Sequence, residues 1–323
     1  MSVTREIQPP FEHDIPQRPP WRNIMLLLGL ILLGMSLGNL LAMLMVMLLS
    51  LRDGGMSIEQ ISTMLNTPEQ FPHAWWYIML IQAVVHIFTF LLPGVVYWRW
   101  SEQHRVEEFV KRRPPESGTF FVAFLATLVF MPFNSWMIEW NGQLQLPSIL
   151  KPLQDWMLSK ETELAEMTQF LTSYTAWGQL LVALLVVAVI PAFGEEVLFR
   201  GVIQRKIFHK IANVHFAVWV TAALFSAIHF QFYGFVPRMF LGAMFGYMYA
   251  WTRNLWIPIF AHFINNGFTL IILFLNQRGV LNFEINQTQS SVPWTLVLVS
   301  LGMSIFLLLY LKNSAQRAGL HQQ

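Results

Sequence analysis

Leu180-Leu181-Val182-Ala183-Leu184-Leu185-Val186-Val187-Ala188-Val189-Ile190 carries no polar side chain, and Pro191-Ala192-Phe193-Gly194-Glu195-Glu196-Val197-Leu198-Phe199-Arg200-Gly201 follows it directly. Two adjacent carboxylates and an arginine thus sit deep in apolar sequence. At a bilayer centre each such charge costs roughly 2.5–3.5 kcal/mol on insertion scales, so an intramembrane ionisable group marks a functional site by default. The stretch reads as a membrane-spanning helix that carries a polar site.

The composition outside this stretch agrees. Of 323 residues, 55% are hydrophobic and only 12% charged, the profile of a polytopic membrane protein rather than a soluble domain. With no cysteine in the chain, disulfides, thiolate zinc sites and a cysteine nucleophile are excluded. A net charge of +2 is too small to argue for nucleic acid, and none is expected as a partner. The expected surroundings are the lipid bilayer.

Apolar runs of spanning length lie at about Ile24–Leu51, Trp75–Tyr97, Thr119–Trp140, Trp177–Glu195 with a polar extension, His215–Phe230, Phe235–Trp251, Leu255–Leu275 and Trp294–Leu311. The fold class expected is all-α, a bundle of about eight transmembrane helices with its polar site inside the cytoplasmic half. With the N-terminus inside, 15 of the 20 Lys and Arg fall on one side, so both termini are expected in the cytoplasm. Trp75, Trp98, Trp140, Trp177, Trp251, Trp256 and Trp294 stand near span ends, as interfacial anchors do.

Residues 1–23 are polar and proline-rich and read as a flexible cytoplasmic tail, and residues 312–323 as a C-terminal one. The first apolar run is too long for a signal-peptide core. No internal boundary divides 24–311, which form a single helical domain with a core at about 177–275. The outer connection, about 141–176, mixes Trp156, Leu164, Met167 and Phe170 with Glu161, Glu163 and Glu166 at near-helical spacing. It reads as an amphipathic helix on the outer leaflet or a packed lid over the bundle.

Glu196 and Arg200 are four apart, on one helix face, and can pair. Glu195 points about 100° away from its neighbour, so one carboxylate can be held while the other works. The plain alternative is a pair of solvated charges at a helix end, since Arg205 and Lys206 follow. Phe225-Ser226-Ala227-Ile228-His229 closes the next span. A lone histidine in an apolar helix is more often a satisfied core residue, but a hairpin turning near Ala212 would put Glu195 and His229 at one height. The seventh span supplies His262 and Asn266, four apart on one face, at a depth of roughly 12–15 Å by helical rise. Asn39, His86 and Asn134 read as interhelical hydrogen-bonders, Gly242 with Gly246 as a close-packing face, and Pro191 with Gly194 as a kink.

At these residues the chain resembles the CPBP family of intramembrane proteases, which includes the CAAX prenyl endopeptidases and Abi-type bacterial proteins linked to bacteriocin self-immunity. The resemblance rests on E-E-x-x-x-R at Glu195–Arg200, F-x-x-x-H at Phe225–His229 and H-x-x-x-N at His262–Asn266, and covers about Pro191 to Gly267. It implies peptide-bond hydrolysis at a site open to the cytoplasm, on a hydrophobic or membrane-anchored peptide. Glu195 then looks like the base that activates water, Glu196 like its orienting neighbour paired with Arg200, and His229 like a second water- or metal-binding group. His262 and Asn266 look like metal ligands or oxyanion stabilisers. Two versions stand open: a divalent metal, zinc by its ligand preference, on Glu195, His229 and His262, or a metal-free site in which Glu195 and His229 share the water. No H-E-x-x-H zinc helix occurs.

Two other functions remain as alternatives: a non-catalytic membrane scaffold or immunity protein that keeps the fold, and a transporter, against which stands the lack of repeated halves with matching broken helices. The expected location is a bacterial plasma membrane.

Overall fold

The structure, a computed structural model, describes residues 20–103, 117–281 and 292–320. Most of the expected N-terminal tail lies outside the described residues. Ten helices follow one another, with no strand among the described residues: α1 (Pro20–Ser50), α2 (Ile58–Asn66), α3 (Ala74–Ser101), α4 (Ser117–Gly142), α5 (Lys151–Thr172), α6 (Trp177–Ile211), α7 (Val214–Ala227), α8 (Phe235–Thr252), α9 (Trp256–Gln277) and α10 (Trp294–Leu320). The last helix runs past the expected end at Leu311, because Lys312 to Leu320 contains no proline and only one glycine to stop it.

Among the described residues six helices, α1, α3, α4, α6, α9 and α10, are long and apolar enough to cross a membrane. The expected count was eight. Helix α7 has only 14 residues, about 21 Å at 1.5 Å per residue. It stops at Ala227 because Phe230 takes the left-handed conformation, φ 53°, and turns the chain just after His229. Helix α8 has 18 residues, broken at its far end by Arg253 at φ 52°.

Helix α6 is the axis of the bundle. Half of its most apolar window is buried, against 11% for α1, whose Leu28, Leu32, Leu40 and Leu48 face outward as lipid-facing residues do. It packs on α3, α7, α8 and α9. At one end of the bundle Ala212, at φ 55°, turns α6 into α7, and Asn213 caps α7 by accepting the Phe216 N–H at 3.0 Å. Nearby, Glu102 at the end of α3 pairs with Arg205 at 2.8 Å and with Lys206. This is the basic end.

Helix α5 covers the opposite end. Its Leu171 is buried, and Met167 and Phe170 pack on a core built from α1, α3, α6 and α9. The Trp75 indole donates to the Leu171 carbonyl at 3.0 Å and Gln277 donates to the Thr172 carbonyl at 2.6 Å. Other apolar side chains of α5, Leu153, Trp156 and Leu158, are exposed.

Prolines inside spans free backbone groups that other helices satisfy. Pro191 has no N–H to offer the carbonyl of Val187, four residues back; Asn266 Nδ2 on α9 donates to that oxygen at 3.0 Å. Beside Pro132 on α4, the hydroxyl of Ser300 on α10 donates to the Val129 carbonyl at 2.5 Å and accepts the Phe133 N–H at 3.1 Å. A side chain is thus inserted into the helix ladder, a recognised cause of a bend.

Candidate functional site

Glu195 and Glu196 stand near the middle of α6 and diverge as helical geometry requires. Glu196 is completely buried. Its Oε1 accepts from Arg200 Nη1 at 2.9 Å and from His262 Nδ1 at 2.9 Å. Arg200, equally buried, donates through Nη2 to the Gly242 carbonyl at 2.7 Å, and its guanidinium lies over the Phe225 ring at 4.7 Å. One carboxylate therefore neutralises a buried arginine and fixes an imidazole, which is a positioning role.

The Gly242 and Gly246 face does pack closely, and it also supplies acceptors: the Gly246 carbonyl takes a hydrogen bond from Gln204 at 2.9 Å. A Cβ on Gly246 would come within 2.8 Å of Gln204 Oε1. The two glycines let α8 approach α6 closely enough for its backbone to satisfy the polar side chains of α6.

Glu195 faces a cavity of about 1020 Å³. His86 Nε2 lies 3.5 Å from Glu195 Oε1, and His262 Nε2 lies 3.9 Å from Oε2. His229 lines the same cavity, as do Asn266 and Arg238. The tautomers follow from the partners. A carboxylate only accepts, so His262 carries its proton on Nδ1; a carbonyl only accepts, so His229 does too, donating to Phe225 at 2.8 Å. In the neutral imidazoles the Nε2 lone pair is left free. His262 is further fixed by stacking on Phe245, centroids 5.3 Å apart.

All six residues singled out from the sequence are gathered here, but in two groups. Glu196, Arg200 and one side of His262 form the buried support; Glu195, His229, Asn266 and the other side of His262 face the cavity. Glu195 has as its near neighbours His86 and His262, where His229 was the expected one. His86 was read as an interhelical hydrogen-bonder. Its signal was available: Gln82, His86 and Thr89 recur at helical spacing and all three line the cavity. Gly194 permits the approach, since a Cβ there would meet His86 Cδ2 and Phe90 Cβ, each at 3.3 Å.

Glu195, His229 and His262 line one cavity and suit zinc chemically. Asn266, the other expected oxyanion donor, already donates one amide hydrogen to Val187 and accepts from Asn265 at 3.1 Å.

The cavity has a long axis. On α6 it is lined by Val186, Val187, Pro191 and Glu195 and by nothing beyond them, and on α5 by Glu161, Thr168 and Thr172. Its lining runs from Glu195 toward the α5 end. From Gly194 to Val202 every residue of α6 is buried.

Residues 177–268, which form α6 to α8 and the first part of α9, match the family described as Type II CAAX prenyl endopeptidase Rce1-like. Among curated proteins, the chain is 38% identical over 77 residues to the uncharacterized protein YpbD of Bacillus subtilis (strain 168), covering 23% of this chain and 36% of that one. It is 28% identical over 106 residues to the putative membrane peptidase YdiL of the same strain, covering 33% and 43%. To the membrane-embedded CAAX protease MroQ of Staphylococcus aureus (strain USA300) it is 31% identical over 99 residues, covering 29% and 40%. The chain thus spans about two fifths of the length of these relatives. No solved structure matches.

Proposed function

We propose that this chain, whose residues 177–268 match the Rce1-like family, is an intramembrane protease of the CPBP type that hydrolyses peptide bonds of a hydrophobic or membrane-anchored peptide within the bilayer. The observation that carries the reading is the division of labour between neighbours. Glu196 is held by Arg200 and His262 and cannot reach a substrate, whereas Glu195 faces a cavity large enough for a peptide segment and is flanked by imidazoles.

In this reading Glu195 takes a proton from water as the water oxygen attacks the scissile carbonyl carbon, and returns it to the leaving amine as the C–N bond breaks. The free Nε2 of His262 accepts the water's second hydrogen and so orients the attacking lone pair. Glu196 keeps the proton of His262 on Nδ1, which preserves that acceptor. His229, with its Nε2 likewise free, lines the same cavity just past the end of α7. Such proton transfer contributes about 10²–10⁴-fold to rate.

The test uses the purified full chain in liposomes with a library of fluorogenic peptides that bear a hydrophobic anchor. Wild type is expected to cleave members of the library, and Glu195→Gln to lose at least about 100-fold of that rate while keeping its thermal transition. Equal cleavage by the variant overturns the assignment.

A further inference from the structure

We propose that Arg238 and Glu161 form a second polar subsite in the cavity, apart from Glu195, and that it binds the backbone of an extended peptide: the guanidinium donates to a peptide carbonyl and the carboxylate accepts a peptide N–H. The inference rests on the peptidase reading above for calling that peptide a substrate, and on side-chain geometry for the site itself.

Arg238 stands in the first turn of α8, one position after Pro237. The turn that enters α8 is tied down from two sides. Asn141 of α4 donates to the Phe232 carbonyl at 3.1 Å and accepts the Val236 N–H at 3.2 Å, while the Ser226 hydroxyl donates to the Phe235 carbonyl at 2.6 Å. The guanidinium folds back on this turn: its Nη2 donates to Gln231 Oε1, and Gly234 leaves the room, since a Cβ there would lie 3.2 Å from Nη2. Glu161 comes from α5, which packs on the same turn through Trp156 and Phe232, with ring centroids 5.3 Å apart. Both charges are therefore held on fixed elements before any ligand arrives, which lowers the ordering cost of binding.

What the two groups lack is what a peptide supplies. Arg238 Nη1 and Glu161 Oε2 are buried without a hydrogen-bond partner, and both residues line the cavity. Asn134 Oδ1, from α4, is a third such atom in the same lining. The threonines of the lining differ: Thr168, Thr172 and Thr269 each donate to the carbonyl one turn back in their own helix. A buried polar group without a partner bears its full desolvation cost, and more so when it is charged. The signs decide the class of ligand. An anionic group drawn to Arg238 would meet Glu161 and the Glu195 carboxylate in the same cavity, and a cationic group would meet Arg238. An amide is neutral and carries both a donor and an acceptor, so it serves both side chains. An extended peptide has backbone groups that nothing in a bilayer satisfies, so it gains most from such a pair.

The probe is a dansyl-labelled, palmitoyl-anchored peptide of leucine and alanine, with a series in which each internal amide in turn is replaced by an ester. Each ester deletes one N–H and weakens one carbonyl acceptor. Binding to the full chain in liposomes is read as energy transfer from the protein's tryptophans, in the Glu195→Gln background so that the peptide stays intact. An ester at one position is expected to weaken binding at least about tenfold. Arg238→Met and Glu161→Leu are each expected to weaken the all-amide peptide by a similar factor, and in Glu161→Leu the sensitive ester costs nothing further. Arg238→Lys, which keeps a charged donor, should retain most of the affinity. If Arg238→Met does not fold, Glu161→Leu and the ester series decide. Binding that no ester and neither variant changes, or no binding at all, overturns the proposal and leaves the subsite to water. A glutamate-containing peptide that binds more tightly, with the gain lost in Arg238→Met, overturns the neutral-amide assignment. Binding that follows these expectations while wild type cleaves nothing sinks the peptidase reading and leaves the subsite standing; cleavage by wild type without these changes sinks the subsite alone.

Discussion

His262 Nδ1 and Arg200 Nη1 both bond to the same oxygen of Glu196, each at 2.9 Å, so that one buried carboxylate oxygen joins α6 to α9. The shared acceptor means that the ion pair is not separable from the orientation of the imidazole that faces Glu195. Disturbing the support and disturbing the cavity should therefore have different signatures.

Glu196→Gln leaves Arg200 buried with no countercharge, and breaking a buried pair from one side costs about 3–5 kcal/mol. The variant is expected to lower the thermal transition measured by tryptophan fluorescence, whereas Glu195→Gln, which breaks no ion pair with a lysine or arginine, leaves it nearly in place. Replacing both partners, Glu196→Gln with Arg200→Met, should recover part of the lost stability, since removing both charges avoids the uncompensated one. A double variant no more stable than Glu196→Gln would show that the pair is not what the substitution disturbed.

His86 makes no hydrogen bond through Nε2 and lies 3.5 Å from Glu195. Its replacement by alanine is expected to reduce peptide cleavage at least about tenfold with the melting behaviour retained, an effect within the range of a group that assists proton transfer. The readout is initial rate against the same anchored peptide. Unchanged rates would return His86 to a packing role.

Gly246→Ala places a Cβ 2.8 Å from Gln204 Oε1 and 3.0 Å from Val218 Cγ1. Overpacking of this kind costs about 1–3 kcal/mol. A lowered unfolding midpoint is expected, along with weaker activity because α8 also holds Arg200 through the Gly242 carbonyl. Gly29→Ala, where nothing lies within 4 Å of the new Cβ, is the neutral control.

Ser300→Ala removes the hydroxyl that links the Val129 carbonyl to the Phe133 N–H. Leaving these groups unbridged at a buried kink costs about 1–3 kcal/mol. The expected outcome is a destabilised α4–α10 contact, read as faster hydrogen exchange in α4 with little change in cleavage rate per folded molecule.

The sequence by itself determined the helical membrane bundle and which polar residues that bundle has to accommodate. Long apolar runs can satisfy their backbone in lipid only as helices, and Glu195, Arg200 and His262 are too costly there to be incidental. The i,i+4 pairing of Glu196 with Arg200 was likewise legible, because it lies within one helix. What only the tertiary structure decided lies between helices. His86 became Glu195's neighbour because Gly194 lets α3 come close; the helical spacing of Gln82, His86 and Thr89 marks a polar face of α3 but not the residue it meets. His229 was placed level with Glu195 by a hairpin argument, but it lies past the end of α7, where the left-handed Phe230 turns the chain. The line of the cavity from Glu195 toward the α5 end depends on how α4, α5 and α9 are arranged around α6. Sequence periodicity records which face of a helix is buried, not which neighbour buries it or where the packing leaves space.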